Sequence, residues 1–269
     1  MGAAKNSKDP FTVRLSLLYN PFDAVERLAL VSKNRRRRHK LHGTPAAALE
    51  PGQIDSLELL ELLKPFPPGT IYDIGANIGT WTCLAKSLFP AARVEAFEPL
   101  AMHFDGFRRW TAPWPGDIRL HACALGQTEG SATMHVMDFS DASSLLPATA
   151  ECLSEFKIKP ATEQMVPVIP LDVLIAREKI PPPDLLKLDV QGYELEVLRG
   201  AETCLRHARA VLCEVSFQQF YAGQPLFPEV LAFLEAHGFA LHALGACTPL
   251  GAPLVQTDAL FLRPGAARP

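Results

Sequence analysis

Ile71-Tyr72-Asp73-Ile74-Gly75-Ala76-Asn77-Ile78-Gly79-Thr80-Trp81-Thr82 decides the fold of this chain. A short apolar run leads into a turn punctuated by two glycines, and a helix-compatible segment follows, so the stretch reads as buried strand, tight turn and helix start. Such a turn at the carboxyl end of a strand is where α/β sheets hold nucleotide-type ligands. The glycines flank Ala-Asn-Ile, which makes the spacing G-x-x-x-G. The G-x-G-x-x-G spacing that lets a backbone approach a pyrophosphate is absent, so a dinucleotide fits poorly. An adenosine ligand without phosphates fits better, with its amino-acid tail over the turn and Asp73 facing its cationic amino group. S-adenosylmethionine is such a ligand.

About twenty residues on, Arg93-Val94-Glu95-Ala96-Phe97-Glu98-Pro99 reads as a second strand ending in an acid. An acid at that separation accepts hydrogen bonds from ribose hydroxyls. Glu98 is the better placed of the two glutamates, because Pro99 takes the chain out of the sheet directly after it. A surface glutamate beside a turn is the plainer alternative.

Strand-like runs recur at Thr70 to Ile74, Arg93 to Phe97, Asp117 to Ala122, Leu185 to Asp189, Ala210 to Val215, Ala240 to Leu244 and Ala259 to Leu262. Helical segments separate most of them, the signature of a mostly parallel sheet covered on both faces. Between the last two lies only Cys247 to Gln256, rich in Gly and Pro and too short for a crossover helix. A closing antiparallel pair follows, giving an α/β, Rossmann-like sheet of seven strands with an antiparallel strand at the edge, as in class I methyltransferases.

The domain expected from this pattern spans 51–269, with an insertion at about 130–183 whose pieces Ala132 to Val136 and Met165 to Val168 read as extra short strands. Gly52 to Leu63 has helical spacing and ends at Pro65, Pro67, Pro68 and Gly69. Residues 1–50 read as an extension, polar and unstructured before about Phe11, with a helix at Phe22 to Val31. Lys33, Arg35, Arg36, Arg37, Arg38 and Lys40 then form a basic run, which reads either as a solvated linker or as a patch for an acidic substrate or an anionic lipid surface.

With 269 residues, 48% hydrophobic and 20% charged, the chain is long and apolar enough for a full globular core. Net charge is -3, and removing the six positive charges of the basic run leaves -9, so nothing global points to nucleic acid. Cys83, Cys123, Cys152, Cys204, Cys213 and Cys247 include no C-x-x-C pair and sit in mostly apolar surroundings, as reduced core thiols of a cytoplasmic protein would. No apolar stretch approaches the roughly 20 residues of a membrane-spanning helix.

Leu185-Leu186-Lys187-Leu188-Asp189-Val190-Gln191-Gly192-Tyr193-Glu194 places another acid at a strand's carboxyl end. Asp189 should face the same cleft as Asp73 and Glu98, as a general base or, equally, as the cap of the helix beginning near Gly192. Glu214, ending the next strand, borders that cleft, and two close acids sharing one proton have a raised pKa suited to base work near neutrality. His121, ending the third strand, is a further base candidate, though a lone histidine is more often structural. Paired acids can also hold a divalent metal, but no Asp-Asp-Asn or His cluster supports one, and none is expected. An acidic cleft without an Asn-Pro-Pro-Tyr-type motif favours a small-molecule hydroxyl acceptor over an amine.

Asp73-Ile74-Gly75-Ala76-Asn77-Ile78-Gly79, Glu98-Pro99, Ala124-Leu125-Gly126, Ser143-Ser144-Leu145, Lys187 to Glu194, Leu212 to Ser216 and Asp258-Ala259-Leu260-Phe261 together resemble the FkbM family of S-adenosylmethionine-dependent methyltransferases. The resemblance covers roughly Pro51 to Arg263. It implies O-methylation of a hydroxyl on a sugar, polyketide or other secondary metabolite, with S-adenosylhomocysteine as product. It carries Asp73, Gly75, Asn77, Gly79 and Glu98 over as cofactor contacts, and the Ala124 region as an adenine wall; Ala76 and Thr80 complete the turn. It supplies no catalytic base, and leaves Ser143 and Ser144 as substrate-side residues or a polar turn beside Asp141. Two other readings compete: a nicotinamide-dependent oxidoreductase on a similar sheet, and a non-catalytic protein that keeps the cofactor fold to bind a partner.

Overall fold

The computed structural model describes residues 21–246 and 254–265. Helix α1 (Pro21–Leu41) is followed by 3-10 turns at Pro45–Ala48 and Pro51–Ile54 and by the short α2 (Leu57–Glu61). Then come β1 (Thr70–Ile74), α3 (Thr80–Leu88), β2 (Arg93–Phe97), α4 (Phe104–Thr111), β3 (Ile118–His121), β4 (Ala124–Leu125) and β5 (Gly130–Met137). The second half holds α5 (Ala150–Glu155), β6 (Pro160–Ile169), α6 (Leu171–Glu178), β7 (Leu185–Leu188), α7 (Glu194–Arg199), α8 (Glu202–His207), β8 (Ala210–Ser216), α9 (Phe227–Ala236), β9 (Ala240–Leu244) and β10 (Gln256–Leu262).

Seven strands form one sheet in the order β3-β2-β1-β7-β8-β10-β9. All neighbours up to β8 pair in parallel, and β10 runs antiparallel to both β8 and β9. The reversed strand therefore lies one place in from the edge, with β9 outermost. Strand order changes direction between β1 and β7, so their carboxyl ends diverge into a crevice, the usual ligand position in open α/β sheets.

Alternation along the strands divides two hydrophobic layers, as the two-residue period requires. Tyr72, Ile74, Leu186, Leu188, Val211 and Cys213 face the layer covered by α6, α7, α8 and α9. Ile71, Leu185, Leu212 and Leu260 face the other, where α2 and α3 pack. Leu41, Ala46 and Leu49 are buried in this second layer, so packing is continuous across residue 50.

Two expected elements differ. The helix read over Gly52 to Leu63 is broken at Asp55 and Ser56, because Ser56 Oγ donates to Asp258 Oδ2 (2.6 Å) and Ser56 N–H to Asp55 Oδ1 (2.9 Å), diverting both from a continuous helix. The helix begun at residue 21 continues through the basic run to Leu41. Within 130–183, the two short strand pieces lengthen into the antiparallel β5–β6 hairpin, extended by β4 alongside β6. Five of the six cysteines lie among the described residues, free and buried; Cys247, and most of the segment between the last two strands, lie outside them. No helix among the described residues is long and apolar enough to cross a membrane.

Candidate active site

The turn after β1 is folded by backbone conformations that its residues tolerate. Gly75 and Gly79 have φ of +78° and +83°, and Asn77 sits at +47°. Asparagine is among the few side chains that visit this region. At Gly75 the freedom is also steric, since a Cβ there would lie 1.9 Å from the Asp189 carbonyl oxygen. The turn and the β7 end are thus in backbone contact. Gly75 and Ala76 N–H groups both donate to the Phe97 carbonyl, at 3.0 Å, fixing the turn against β2.

A cleft of about 250 Å³ opens above this contact. Its walls come from Gly75 to Ile78 and Thr80-Trp81, from Phe97 to Leu100 with His103 and Cys123 to Leu125, and from Lys187, Asp189, Glu214 and Asp258. A second cavity, of about 750 Å³, adjoins it and is lined by Asp138, Phe139, Phe156, Lys157 and Tyr221 among others. Asp55, Asp141, Asp189, Gln191 and Glu214 line both cavities, so the two meet at the acids.

Gly75, Ala76, Asn77, Thr80, Glu98, Ala124, Asp189 and Glu214 all line the first cleft. Glu98 is held in place from two sides: Oε2 accepts from Asn77 N–H (2.9 Å) and Oε1 from Leu100 N–H (2.8 Å). Each oxygen keeps a lone pair for a further donor. Asn77 Nδ2 donates to Asp141 (3.0 Å), which joins the turn to the hairpin insertion.

Three expected residues lie elsewhere. Asp73 does not face the cleft: it is fully buried beneath the turn, where Thr82 Oγ1 donates to it (2.5 Å) and Lys187 Nζ lies 3.2 Å away. Its charge is spent on that lysine. Gly79 starts α3 behind the turn, packed against Phe107. His121 is not at the cleft either; its Nε2 lies 2.7 Å from Glu95 Oε2, and its ring stacks on Phe97. Burial opposes the Glu95 charge, but His121 and Arg93 outweigh it and hold the carboxyl below its ordinary range. His121 is therefore a partner to Glu95 inside the sheet flank and not a base.

Asp189 is not a helix cap. Val190 and Gly192 N–H groups donate instead to Glu194 Oε1, at 3.0 and 3.1 Å, leaving Asp189 free to border both cavities. Gln191 Nε2 donates to Asp189 Oδ1 and to Glu214 Oε2, each at 2.9 Å, and Gln191 Oε1 accepts from Tyr221. Glu214 Oε1 accepts from Gln256 (2.7 Å). Burial, reinforced by the Asp189 charge, pushes the Glu214 carboxyl well above its ordinary value. Burial likewise lifts Asp258 to about 6.

Lys187 lies at the centre of this cluster, 3.2 Å from Asp73 and 3.6 Å from Asp189, and donates to the Gly75 carbonyl. Burial works against its charge, yet the two carboxylates prevail and hold its pKa above the ordinary lysine value. Sequence reasoning gave Lys187 no role. Its position in an apolar strand was the signal, since a buried ammonium requires carboxylate partners. Trp81, His103, Gln191 and Asp258 were also missed as cleft residues.

Glu194 gives a stability prediction. Burial raises its carboxyl from 4.5 to about 7, against the pull of the N–H donors it accepts from. Between these values the folded state binds the extra proton and the unfolded chain does not, so stability falls as pH rises through that window. Glu194→Gln keeps an acceptor for both N–H groups and removes the charge. The variant is expected to gain on the order of 3 kcal/mol over the native protein at pH 8, with equality near pH 4. Urea unfolding of both proteins across this range checks it; parallel pH profiles would refute it.

Residues 73–241 match the methyltransferase FkbM domain. The chain belongs to the FkbM methyltransferase family. The FkbM-family relatives include 31-O-demethyl-FK506 methyltransferase FkbM of Streptomyces tacrolimicus, 30% identical over 199 residues that cover 66% of this chain and 75% of that one. Hexuronic acid methyltransferase AglP of Haloferax volcanii is 27% identical over 61% of this chain, and the match spans 62% of AglP's length. 2-O-methyltransferase NoeI of Sinorhizobium fredii is 28% identical over 77% of this chain and 86% of its own. Among solved structures, the magnesium protoporphyrin IX methyltransferase of Synechocystis PCC 6803 overlaps with a TM-score of 0.46 at 14% identity, covering 98% of this chain and 100% of that one. The sheet order, with its reversed strand beside the edge, is what assigns the FkbM-family chain its fold class.

Proposed function

We propose that this FkbM-family chain transfers a methyl group from S-adenosylmethionine to a hydroxyl of a small molecule. The observation that carries the reading is the meeting of two cavities at Asp189 and Glu214, one walled by the glycine turn and Glu98, the other by the hairpin insertion. The first cleft fits the cofactor on its own terms. A Cβ at Gly75 would fill its floor against Asp189. Trp81 Nε1 and both ring nitrogens of His103 are buried without an aligned hydrogen-bond partner, even though His103 Nδ1 lies 3.2 Å from Glu98 Oε1. Buried polar atoms of this kind want a ligand's donors and acceptors.

Glu98 would take the ribose hydroxyls, the Ala124 segment the adenine, and the Ala76–Asn77 backbone the amino-acid tail. When bound, S-adenosylmethionine supplies a methyl already activated as an electrophile by its sulfonium. The residues of this chain then align the acceptor oxygen and relieve it of its proton. Asp189 would take the proton of the acceptor hydroxyl as its oxygen is methylated, the bound cofactor supplying the methyl and its sulfur leaving with the bonding pair. Lys187 Nζ lies 3.6 Å from that carboxylate and holds it beside the junction. Burial opposes a second charge on Glu214, and Gln191 bridges the two carboxyl groups and fixes both side chains. Alignment supplies several kcal/mol of such a barrier reduction. The names of FkbM and NoeI, which print an oxygen position, support an oxygen acceptor. Five buried free thiols support a reducing, cytoplasmic setting.

Calorimetric titration with S-adenosylhomocysteine and, separately, NAD tests the cofactor. Micromolar binding of the first alone is expected; preferential NAD binding would overturn the reading. Glu98→Ala is expected to weaken S-adenosylhomocysteine binding by about 2–3 kcal/mol, since a charged acceptor to two hydroxyls is lost. Glu98→Gln, which keeps an acceptor for one backbone donor, separates ribose contact from turn support. Unchanged affinity in both variants would remove Glu98 from the site.

A further inference from the structure

Helix α1 is not used by the chemistry above, and its surface is organised. Arg37 faces the body of the protein: it is buried, its guanidinium pairs with Glu58, and it donates to the Asp55 carbonyl (3.2 Å) at the rim of both cavities. Lys40 pairs with Glu61, and Leu41 is buried. At 100° per residue, Leu28, Val31, Arg35, Arg38 and His39 fall within an arc of roughly 100° turned away from Arg37. All five are exposed, Leu28 at 68% and Val31 at 64%. No described carboxylate pairs with Arg35 or Arg38.

We propose that this outer face of α1 docks on an anionic lipid surface. Charge complementarity selects an anionic partner, since cations concentrate on one helix of a protein whose remainder is net acidic. The two exposed aliphatic side chains continue the cationic stripe toward the helix start, and they select a bilayer over a phosphate backbone. Leucine and valine gain from the acyl boundary of a membrane and have nothing to contact on a polyanion. Because Arg37 ties the opposite face of the helix to the Asp55 carbonyl, docking would hold the cavity rim at a fixed place relative to the membrane. This inference is independent of the reading of the cleft.

Sedimentation of the full chain with phosphatidylcholine vesicles, with and without 30% phosphatidylglycerol, tests it. At low salt the protein is expected to pellet with the anionic vesicles only, and less as salt rises. Arg35→Glu with Arg38→Glu should lower that partitioning about tenfold or more, each cation near an anionic surface contributing on the order of a fivefold effect. Leu28→Ser with Val31→Ser should lower it as well. Both pairs are exposed, and unchanged thermal unfolding establishes that the variants fold. Three results would overturn the proposal: no binding to anionic vesicles, binding indifferent to the charge reversals, or binding to single-stranded RNA at least as strong as to vesicles and indifferent to the Leu28 and Val31 changes.

Discussion

Gly75→Ala is expected to destabilise the protein by at least about 3 kcal/mol and to lower S-adenosylhomocysteine affinity by about a hundredfold or more. Two costs combine. The residue sits at φ +78°, where an alanine pays about 1–2 kcal/mol for its left-handed backbone. Its Cβ would also lie 1.9 Å from the Asp189 carbonyl oxygen, a distance only backbone movement relieves. That movement opens the β1–β7 ends, where Asp189 N–H donates to the Ile74 carbonyl. Gly223 isolates the first cost: its φ is also +78° and an added methyl would meet nothing within 4 Å, so Gly223→Ala should cost only about 1 kcal/mol. Gly79→Ala is intermediate, since the added carbon meets Phe107 Cδ2 at 2.8 Å and Phe107 Cα at 3.3 Å, a closer fit than at Gly223 and a looser one than the 1.9 Å approach at Gly75. Urea unfolding and calorimetry on the three variants check the ranking. Equal costs at Gly75 and Gly223 would mean that the contact with Asp189 is not rigid.

Asp189→Asn is expected to lower turnover by about 10²–10⁴-fold while S-adenosylhomocysteine affinity stays within a few fold. The asparagine keeps the size and the acceptor for Gln191 but cannot take a proton. Glu214→Gln imitates the protonated form already favoured by burial, so its turnover at neutral pH should fall far less. Once an acceptor is in hand, steady-state rates of both variants between pH 6 and 9 make the comparison. If Asp189→Asn retained turnover across that range, proton removal would not pass through this carboxylate; if only Glu214→Gln lost it, the two roles would be exchanged.

The central strands were legible because they are buried on both faces and read as unbroken apolar runs, Leu185 to Leu188 being an example. Glu98 and Asp189 were legible for a related reason: a charged residue directly after such a run lies at the sheet's carboxyl edge, whereas Glu214 interrupts the apolar run of β8 two residues before its end. Asp73 was misjudged because it lies inside β1, in register with Lys187 and two places before the position aligned with Asp189, and its carboxylate pairs with that lysine beneath the turn. His121 was misjudged because its partner Glu95 belongs to the neighbouring strand, two places from the residue in register with it. Asp258 and Ser56 meet across 202 positions of sequence, a contact that no local pattern encodes. The break between the 3-10 turn and α2 follows from that same contact, so it was hidden too. The β5–β6 hairpin was underestimated because much of β6 is exposed and polar, and strand alternation is faint without a buried face.

The five residues common to both cavities divide the ways in which this protein can change. Asp55, Asp141, Asp189, Gln191 and Glu214 line both cavities, so a substitution there reshapes the two chambers together. Asp138, Phe139, Phe156, Lys157 and Tyr221 border only the second cavity, and Phe139 and Phe156 are exposed. Those positions drift without touching the glycine turn or Glu98. A lineage built on this plan can acquire a new acceptor by repainting one chamber, while the machinery of the other passes unaltered from parent to descendant.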